Sequence, residues 1–238
     1  MKRSMPIVLV IATLCFQDVW AEPVFVRADE RNGHGILRDR GDACFLVTPA
    51  HVVDFSDLVE IVGSLRVSTV GRLEEMYYSD LGVVRVERVT GLDCGAPWSW
   101  GEGLDARLSQ GRPALLRSRQ EDGSLRQRQL VIVESDARFL AVRAEHPDDY
   151  LFQGLSGSLV QLGGEPAGML MAVEAATGRG HVLRWDHLAL LLTPFFGAPQ
   201  HPNTGETAVR HRPGSDETFG RAPTPLSRPP LRPTLPRE

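Results

Sequence analysis

An all-β fold, either a barrel or a sandwich, is what this sequence predicts. Short apolar or alternating runs recur between residues 22 and 194, and glycine, aspartate and proline separate them. Short runs bounded by turn-forming residues are typical of antiparallel strands, and no sustained helical periodicity competes with them before the end of this region. The predicted strands cover residues 24–26, 44–47, 59–62, 81–86, 113–116, 130–133, 139–142, 168–173 and 181–183.

One short helix is predicted after the last strand. Asp186 is a suitable capping residue for a helix over 187–192, and Pro194 follows it. Proline is common just beyond a helix C-terminus because it cannot continue the hydrogen-bonded ladder. We therefore expect the folded region to end on a single helix.

The first 21 residues have the pattern of a secretory signal peptide. Lys2 and Arg3 precede an apolar stretch over 7–16, and Ala21 is a small residue suited to cleavage. The apolar stretch is too short to cross a bilayer as a membrane helix. We therefore predict an exported protein, periplasmic or secreted, with no membrane span in the mature chain.

The composition also changes near the C-terminal end of the sequence. Residues 198–238 are rich in proline and poor in large apolar side chains. Such a segment buries too little apolar surface to offset the entropy of ordering it. We predict a disordered tail that follows a folded domain over 22–197. The whole chain has a formal net charge of −4 and no basic patch, so nucleic acid is not a predicted partner.

Two of the three cysteines remain once the signal peptide is removed. Cys44 and Cys94 are then an even pair in an exported chain. Export to an oxidising compartment favours a disulfide between them. The alternative is two unpaired, buried thiols.

Three short motifs carry residues suited to nucleophilic catalysis. They are Thr-Pro-Ala-His-Val-Val around His51, Ser-Asp-Leu-Gly-Val-Val around Asp80, and Gly-Leu-Ser-Gly around Ser156. A serine hydroxyl needs an imidazole to take its proton and a carboxylate to orient that imidazole. His51 ends an apolar strand, and Asp80 directly precedes another, where we expect a shielded carboxylate. Ser156 lies between two glycines, where the chain can turn sharply.

These motifs resemble those of the trypsin-like (chymotrypsin-fold) serine proteases. The order His, Asp, Ser is the family's, and the spacings of 29 and 76 residues are most similar to the compact bacterial high-temperature-requirement branch. The resemblance covers about residues 33–194. It implies two packed antiparallel six-stranded β-barrels, over about 22–91 and 111–194, joined by a linker rich in glycine. We expect no peptide-binding domain after them.

The resemblance also implies a reaction. His51, Asp80 and Ser156 form the catalytic triad of a serine endopeptidase, and the N–H groups of Gly154 and Ser156 form its oxyanion hole. The expected substrate is a protein or peptide, and no metal or cofactor is required. Leu155 replaces the aspartate that receives a new N-terminus in trypsin-like zymogens, so activation by that salt bridge is not expected.

The resemblance also implies a specificity pocket. It lies near Tyr150 and Leu151 on one side and Met169, Leu170 and Met171 on the other. No acidic residue is expected at its base, which disfavours arginine or lysine in the substrate. Small or medium apolar residues are favoured instead.

Other functions fit the sequence less well. An α/β-hydrolase needs Gly-x-Ser-x-Gly followed by its acid and its histidine, an order that this chain does not have. Zinc motifs of the His-Glu-x-x-His kind are absent from the sequence. The main alternative is a catalytically silent binding module of the same fold. A less favoured one is an unrelated secreted β-barrel adhesin or inhibitor.

Overall fold

Twelve strands make up most of the described chain, which is residues 22–95 and 103–197 of a computed structural model. The predicted signal peptide and the predicted tail lie outside the described residues. The described residues all belong to the first of the two units into which the chain divides, at position 203. No helix among them is long and apolar enough to cross a membrane.

The first six strands close into an antiparallel barrel in the order β1-β2-β3-β6-β5-β4. A core of valine, leucine and isoleucine side chains fills it, among them Val26, Leu46 and Ile61, all at 0% exposure. A short helix, α1, follows β3 directly and carries His51. The elements are β1 (Pro23–Ala28), β2 (Arg31–Arg40), β3 (Ala43–Pro49), α1 (Ala50–Val53), β4 (Val59–Val62), β5 (Ser68–Tyr77) and β6 (Leu81–Val86).

The next six strands close into a second antiparallel barrel in the order β10-β11-β12-β9-β8-β7. Leu116, Leu140 and Val160 are among the buried side chains of its own core. The two closed six-stranded barrels confirm the predicted fold class. The elements are α2 (Leu104–Ser109), β7 (Ala114–Arg119), β8 (Leu125–Ser135), β9 (Phe139–Ala144), β10 (Leu159–Leu162), β11 (Glu165–Glu174), β12 (Arg179–Arg184) and α3 (Trp185–Phe196).

A third apolar cluster joins the barrels. It contains Ile36, Phe45 and Leu81 from the first barrel, and Leu159 and Met169 from the second. Helix α3 adds its buried face to the same cluster. The barrels are therefore joined by a shared apolar cluster, and residues at the seam between them are held from both sides.

The terminal helix is longer than predicted. Helix α3 spans Trp185–Phe196 and contains Pro194, which the sequence analysis placed beyond its end. The reason is tertiary packing, because the Phe195 ring lies edge-on against Phe45 with 5.0 Å between centroids. The free energy gained by burying that aromatic ring exceeds the cost of the backbone hydrogen bond that Pro194 cannot donate.

A second helix was not predicted. Helix α2 spans Leu104–Ser109, within the stretch that was interpreted as a linker. Leu104 is buried in the core of the second barrel. Arg107 donates to the carbonyl oxygen of Pro166 at 3.0 Å, so packing rather than periodicity holds this short turn in place.

Cys44 and Cys94 form the predicted disulfide. Their Cα atoms are 5.6 Å apart, within the ordinary range for a bridged pair. The bond ties β3, the strand that leads to His51, to the segment that leaves β6.

Candidate active site

His51 and Asp80 form a doubly bonded pair. The ring Nδ1 of His51 is 2.7 Å from Asp80 Oδ2, and the backbone N–H of His51 donates to Asp80 Oδ1 at 3.0 Å. In addition, the N–H of Ala50 donates to the Asp80 carbonyl oxygen at 2.9 Å. A carboxylate only accepts, so Nδ1 carries the proton and Nε2 is left as the basic nitrogen.

The backbone of Asp80 has an unusual conformation. Its φ is +58°, in the left-handed region that aspartate and asparagine tolerate better than most side chains. This turn directs both the carbonyl and the carboxylate towards the start of α1. The side chain is 45% exposed, however, so the expectation of a shielded carboxylate is wrong. Asp80 directly precedes β6 as predicted, but the turn on which it lies is open to solvent.

Ser156 lies at the seam between the barrels, in a segment that we call the serine loop, residues 153–158. The Ser156 carbonyl oxygen accepts from the N–H of His34 on β2 at 2.7 Å. Gly157, at φ +87°, has no room for a side chain, because a Cβ there would lie 1.7 Å from the His34 carbonyl oxygen. This glycine lets the loop press directly against the first barrel.

The Ser156 hydroxyl and amide share one acceptor. The hydroxyl donates to the carbonyl oxygen of Gln153 at 3.1 Å, and the Ser156 N–H approaches the same oxygen at 3.3 Å. Residues Gln153–Leu155 form one turn of 3₁₀ helix, which directs that carbonyl back towards Ser156. Within the described chain, no hydrogen bond joins Ser156 Oγ to His51.

His51 and Ser156 nevertheless line the same cleft, which has a volume of about 360 Å³. Gly154 lies beside Ser156 in its wall. The remaining side chains come from the start of β2, from α1, from the serine loop and from the end of β11; they are Arg31, Asn32, Val52, Gln153, Ala172 and Val173. The first barrel by itself pairs His51 with Asp80, and the contact between the two barrels brings Ser156 into the same cleft as His51.

The residues predicted for the specificity pocket lie in different places. Tyr150 is exposed, and Leu151 is buried in the core of the second barrel. Met169 and Met171 belong to the cluster between the barrels, while Leu170 belongs to the second core. The cleft wall on this side is formed by the next two residues of β11, Ala172 and Val173.

Sequence reasoning missed several residues of the cleft. Gln153 is the most consequential, because its carbonyl oxygen accepts hydrogen bonds from both the hydroxyl and the N–H of Ser156. The one signal for it is its position directly before the Gly-Leu-Ser-Gly motif. Arg31, Ala172 and Val173 belong to no motif, and only the closed barrels place them beside Ser156.

The site offers no arrangement for a metal. Within residues 22–95 and 103–197, no group of three or more histidine, cysteine, aspartate or glutamate side chains is placed to hold an ion. The chemistry of the donors present is that of a hydroxyl, an imidazole and a carboxylate.

Comparison with known proteins identifies the fold. The Rv3671c protease, in an inactive form, matches with a TM-score of 0.53 at 18% identity, over 76% of this chain and 91% of that one. A serine endoprotease from Yersinia pestis matches with a TM-score of 0.56 at 15% identity, over 76% of this chain and 64% of that one. A mutant of Rv3671c from M. tuberculosis H37Rv, also in an inactive form, matches with a TM-score of 0.53 at 18% identity, over 75% of this chain and 88% of that one.

No protein-family model and no curated protein sequence matches the chain. At identities this low, the structural likeness gives the trypsin-like double-barrel fold and no particular branch within it. Fold by itself does not determine activity, so function has to be argued from the site.

Proposed function

We propose that this protein is an exported serine endopeptidase that works through an acyl-enzyme formed on Ser156. The observation that carries the proposal is the double hydrogen bond between His51 and Asp80 in the cleft that Ser156 also lines. That pair holds an imidazole in one tautomer and one orientation, which is what a general base for a serine hydroxyl requires.

Both halves of the reaction, acylation and hydrolysis of the acyl-enzyme, follow from these roles. His51 Nε2 takes the proton of the Ser156 hydroxyl as Oγ bonds to the carbonyl carbon of the peptide. Asp80 stabilises the imidazolium by accepting a hydrogen bond from its Nδ1–H. The imidazolium then protonates the leaving amine as the carbon–nitrogen bond breaks, which leaves an ester on Ser156. Water, deprotonated by His51, attacks that ester, and the proton returns to Oγ as the acid product leaves.

Substrate binding has to rearrange the serine loop. The Ser156 hydroxyl must rotate away from the Gln153 carbonyl oxygen to reach His51. The Ser156 N–H must also leave that oxygen before it can stabilise an oxyanion together with Gly154. Catalytic hydrogen bonds are often formed only in the substrate complex, and the glycine that follows Gln153 allows its peptide plane to turn.

The cleft favours a small or medium apolar side chain next to the scissile bond. Its wall on the side of the second barrel includes Ala172 and Val173 of β11, which carry no charge. Because an apolar wall discriminates by only about 1–3 kcal/mol per methylene-sized difference, we expect a broad preference rather than a strict one.

A catalytically silent binding module of the same fold is the second candidate. The observation that favours it is the Gln153 carbonyl oxygen, which accepts from both donors of Ser156 and so competes with catalysis. The two candidates differ in whether that contact is ever released.

Labelling with a fluorophosphonate probe separates the candidates. We expect the wild type to be labelled and to hydrolyse casein, and Ser156→Ala to do neither. Ser158→Ala is a matched control, because its hydroxyl lies in the same loop, is buried and has no hydrogen-bond partner among the described residues. It should keep activity and lose no stability. A wild type that is folded but neither labelled nor active would favour the binding module.

A further inference from the structure

His34 holds the serine loop through its main chain. It lies on β2, is 3% exposed, and donates its backbone N–H to the carbonyl oxygen of Ser156 at 2.7 Å. Its own carbonyl oxygen accepts from Thr48 Oγ1 at 2.7 Å and is the atom against which Gly157 packs. Any movement of His34 is therefore passed on to the two residues that carry and follow the nucleophile.

The ring of His34 reaches the second barrel. Its Nε2 lies 2.9 Å from the carbonyl oxygen of Arg119, the last residue of β7. The ring of Phe25 from β1 meets it edge-on, with 6.0 Å between centroids. One buried side chain thus connects β1 and β2 of the first barrel with β7 of the second, directly behind the serine loop.

The hydrogen bond to Arg119 determines the tautomer. A carbonyl oxygen only accepts, so Nε2 must carry the proton, and Nδ1 then has a lone pair. Nδ1 is buried and has no partner among the described residues. A buried acceptor without a donor costs free energy, and such groups are rare enough in folded proteins to suggest a role.

The surroundings of the ring keep it neutral. Burial lowers the pKa of His34 to about 4, although the nearby carbonyl oxygens of Arg119, Ser156 and Gly154 favour the protonated ring. The positive charge of Arg128 on β8 also opposes protonation. Arg119 directs its own guanidinium to Glu22, at 2.6 Å, while Phe25 and Thr48 bring no charge.

We propose that His34 is a positioning residue for the reaction of Ser156. As a neutral ring donating to Arg119, it fixes β2 against β7 and thereby fixes the serine loop through the bond to the Ser156 carbonyl. This inference rests on the proposed function. Misplacement of a reacting group by about 1 Å can cost about a hundredfold in rate, so a residue that acts through the loop is expected to alter turnover.

Two substitutions test the role of the ring. His34→Phe keeps the aromatic volume and the edge contact with Phe25 but has no donor for the Arg119 carbonyl. We expect kcat on a small ester substrate to fall by about 10- to 100-fold with KM changed by less than about 2-fold. His34→Gln carries an amide N–H at about the reach of Nε2, and it should recover kcat to within about 3-fold of the wild type.

His181→Gln is the matched control, since His181 is an exposed histidine on β12. It should behave as the wild type does. A folded His34→Phe variant with wild-type kcat would overturn the proposal. So would equal losses in His34→Phe and His34→Gln, because the donor would then be irrelevant. Thermal melting of each variant shows whether it is folded.

A titration of the wild type gives a result that does not depend on activity or on variants. In NMR spectra of the ¹⁵N-labelled protein, the His34 ring should be protonated at Nε2 and should stay neutral down to about pH 5. The amide resonances of Ser156 and Gly157 should shift with the same midpoint as the ring. A ring that titrates near its ordinary value, or amides that do not follow it, would overturn the proposal. If these amides follow the ring in a protein that shows no turnover, then the proposed function fails and the link to His34 stands.

Discussion

Asp80 presents three oxygen atoms to the segment that carries His51. Two of them are the carboxylate oxygens that bind the ring and the backbone N–H of His51, and the third is the carbonyl that binds Ala50. All three contacts depend on the left-handed backbone at Asp80. At the scale of single residues, the orientation of His51 is thus decided by one φ angle as well as by one carboxylate.

Asp80→Asn separates these two contributions. Asparagine tolerates the left-handed region, so the backbone turn should persist and the melting temperature should stay close to that of the wild type. The amide no longer selects the productive tautomer of His51, and turnover should fall by about four orders of magnitude. Asp80→Ala is the comparison, because alanine also disfavours the turn and should lower the melting temperature further. An Asp80→Asn variant with turnover near that of the wild type would contradict the assigned role.

The buried ring of His34 predicts a loss of stability in acid. Its pKa is about 4 in the folded protein and about 6.5 in an unfolded chain, so folding favours the neutral ring. The resulting stabilisation is fully present above pH 6.5 and is lost as the pH falls from 6.5 to about 4. The loss amounts to about 3 kcal/mol. Chemical denaturation of the wild type and of His34→Gln at pH 7 and pH 4 measures this loss of unfolding free energy. If the unfolding free energies of the two proteins fell in parallel, the loss could not be assigned to His34.

The elements that carry the site are tied together by bonds outside the regular ladders. Strand β3, which leads to His51, is paired with β6, which follows Asp80, over six residue pairs from Cys44↔Val86 to Pro49↔Leu81. The disulfide between Cys44 and Cys94 closes the same unit covalently. At the scale of elements, the relative placement of His51 and Asp80 therefore rests on one strand pair and the disulfide that closes it.

Replacing both Cys44 and Cys94 with alanine tests this disulfide. The bridge spans 50 residues, and a disulfide that closes a loop of that length stabilises the folded protein by about 2–5 kcal/mol. We expect the free energy of unfolding to fall by that amount, measured by chemical denaturation without reductant. Activity per folded molecule should change little, because the β3–β6 ladder remains. A change of less than about 1 kcal/mol would show that the ladder alone is sufficient.

The whole molecule is held together by the cluster between the barrels. Its members come from both barrels and from α3, so neither barrel can separate without exposing side chains such as Leu159 and Trp185. The candidate site is complete only while this seam is closed, because His51 belongs to one barrel and Ser156 to the other. Loss of the seam and loss of the site are therefore expected to occur together.

Met169→Ala tests that coupling, since Met169 is fully buried in the seam. The cavity should cost about 2–5 kcal/mol of unfolding free energy. Loss of secondary structure by circular dichroism and loss of fluorophosphonate labelling should share one denaturant midpoint. Met76→Ala is the control, because Met76 is an exposed methionine, and it should change stability by less than about 0.5 kcal/mol. Two separate midpoints for Met169→Ala would mean that the barrels unfold independently.

The local sequence was sufficient for the strands with continuous apolar runs and for the three motifs around His51, Asp80 and Ser156. It did not predict β2, β5 and β10. Strand β2 has polar ends, and β5 exposes much of one face, so neither presents an uninterrupted apolar run. Helix α2 and the last turn of α3 were likewise missed because tertiary packing, not periodicity, stabilises them.

Residue identity and spacing along the chain were therefore enough to name the candidate groups of the site, because the order of a histidine, an aspartate and a serine in three motifs can be read from the sequence alone. Only the tertiary structure decided the exposure of Asp80, the contact between Ser156 and the Gln153 carbonyl, and the burial of His34. The physical reason is that solvation and hydrogen-bond direction depend on which distant atoms surround a group. Here the atoms behind the serine loop come from residues of both barrels, such as His34 and Arg119, which are 85 positions apart in the sequence.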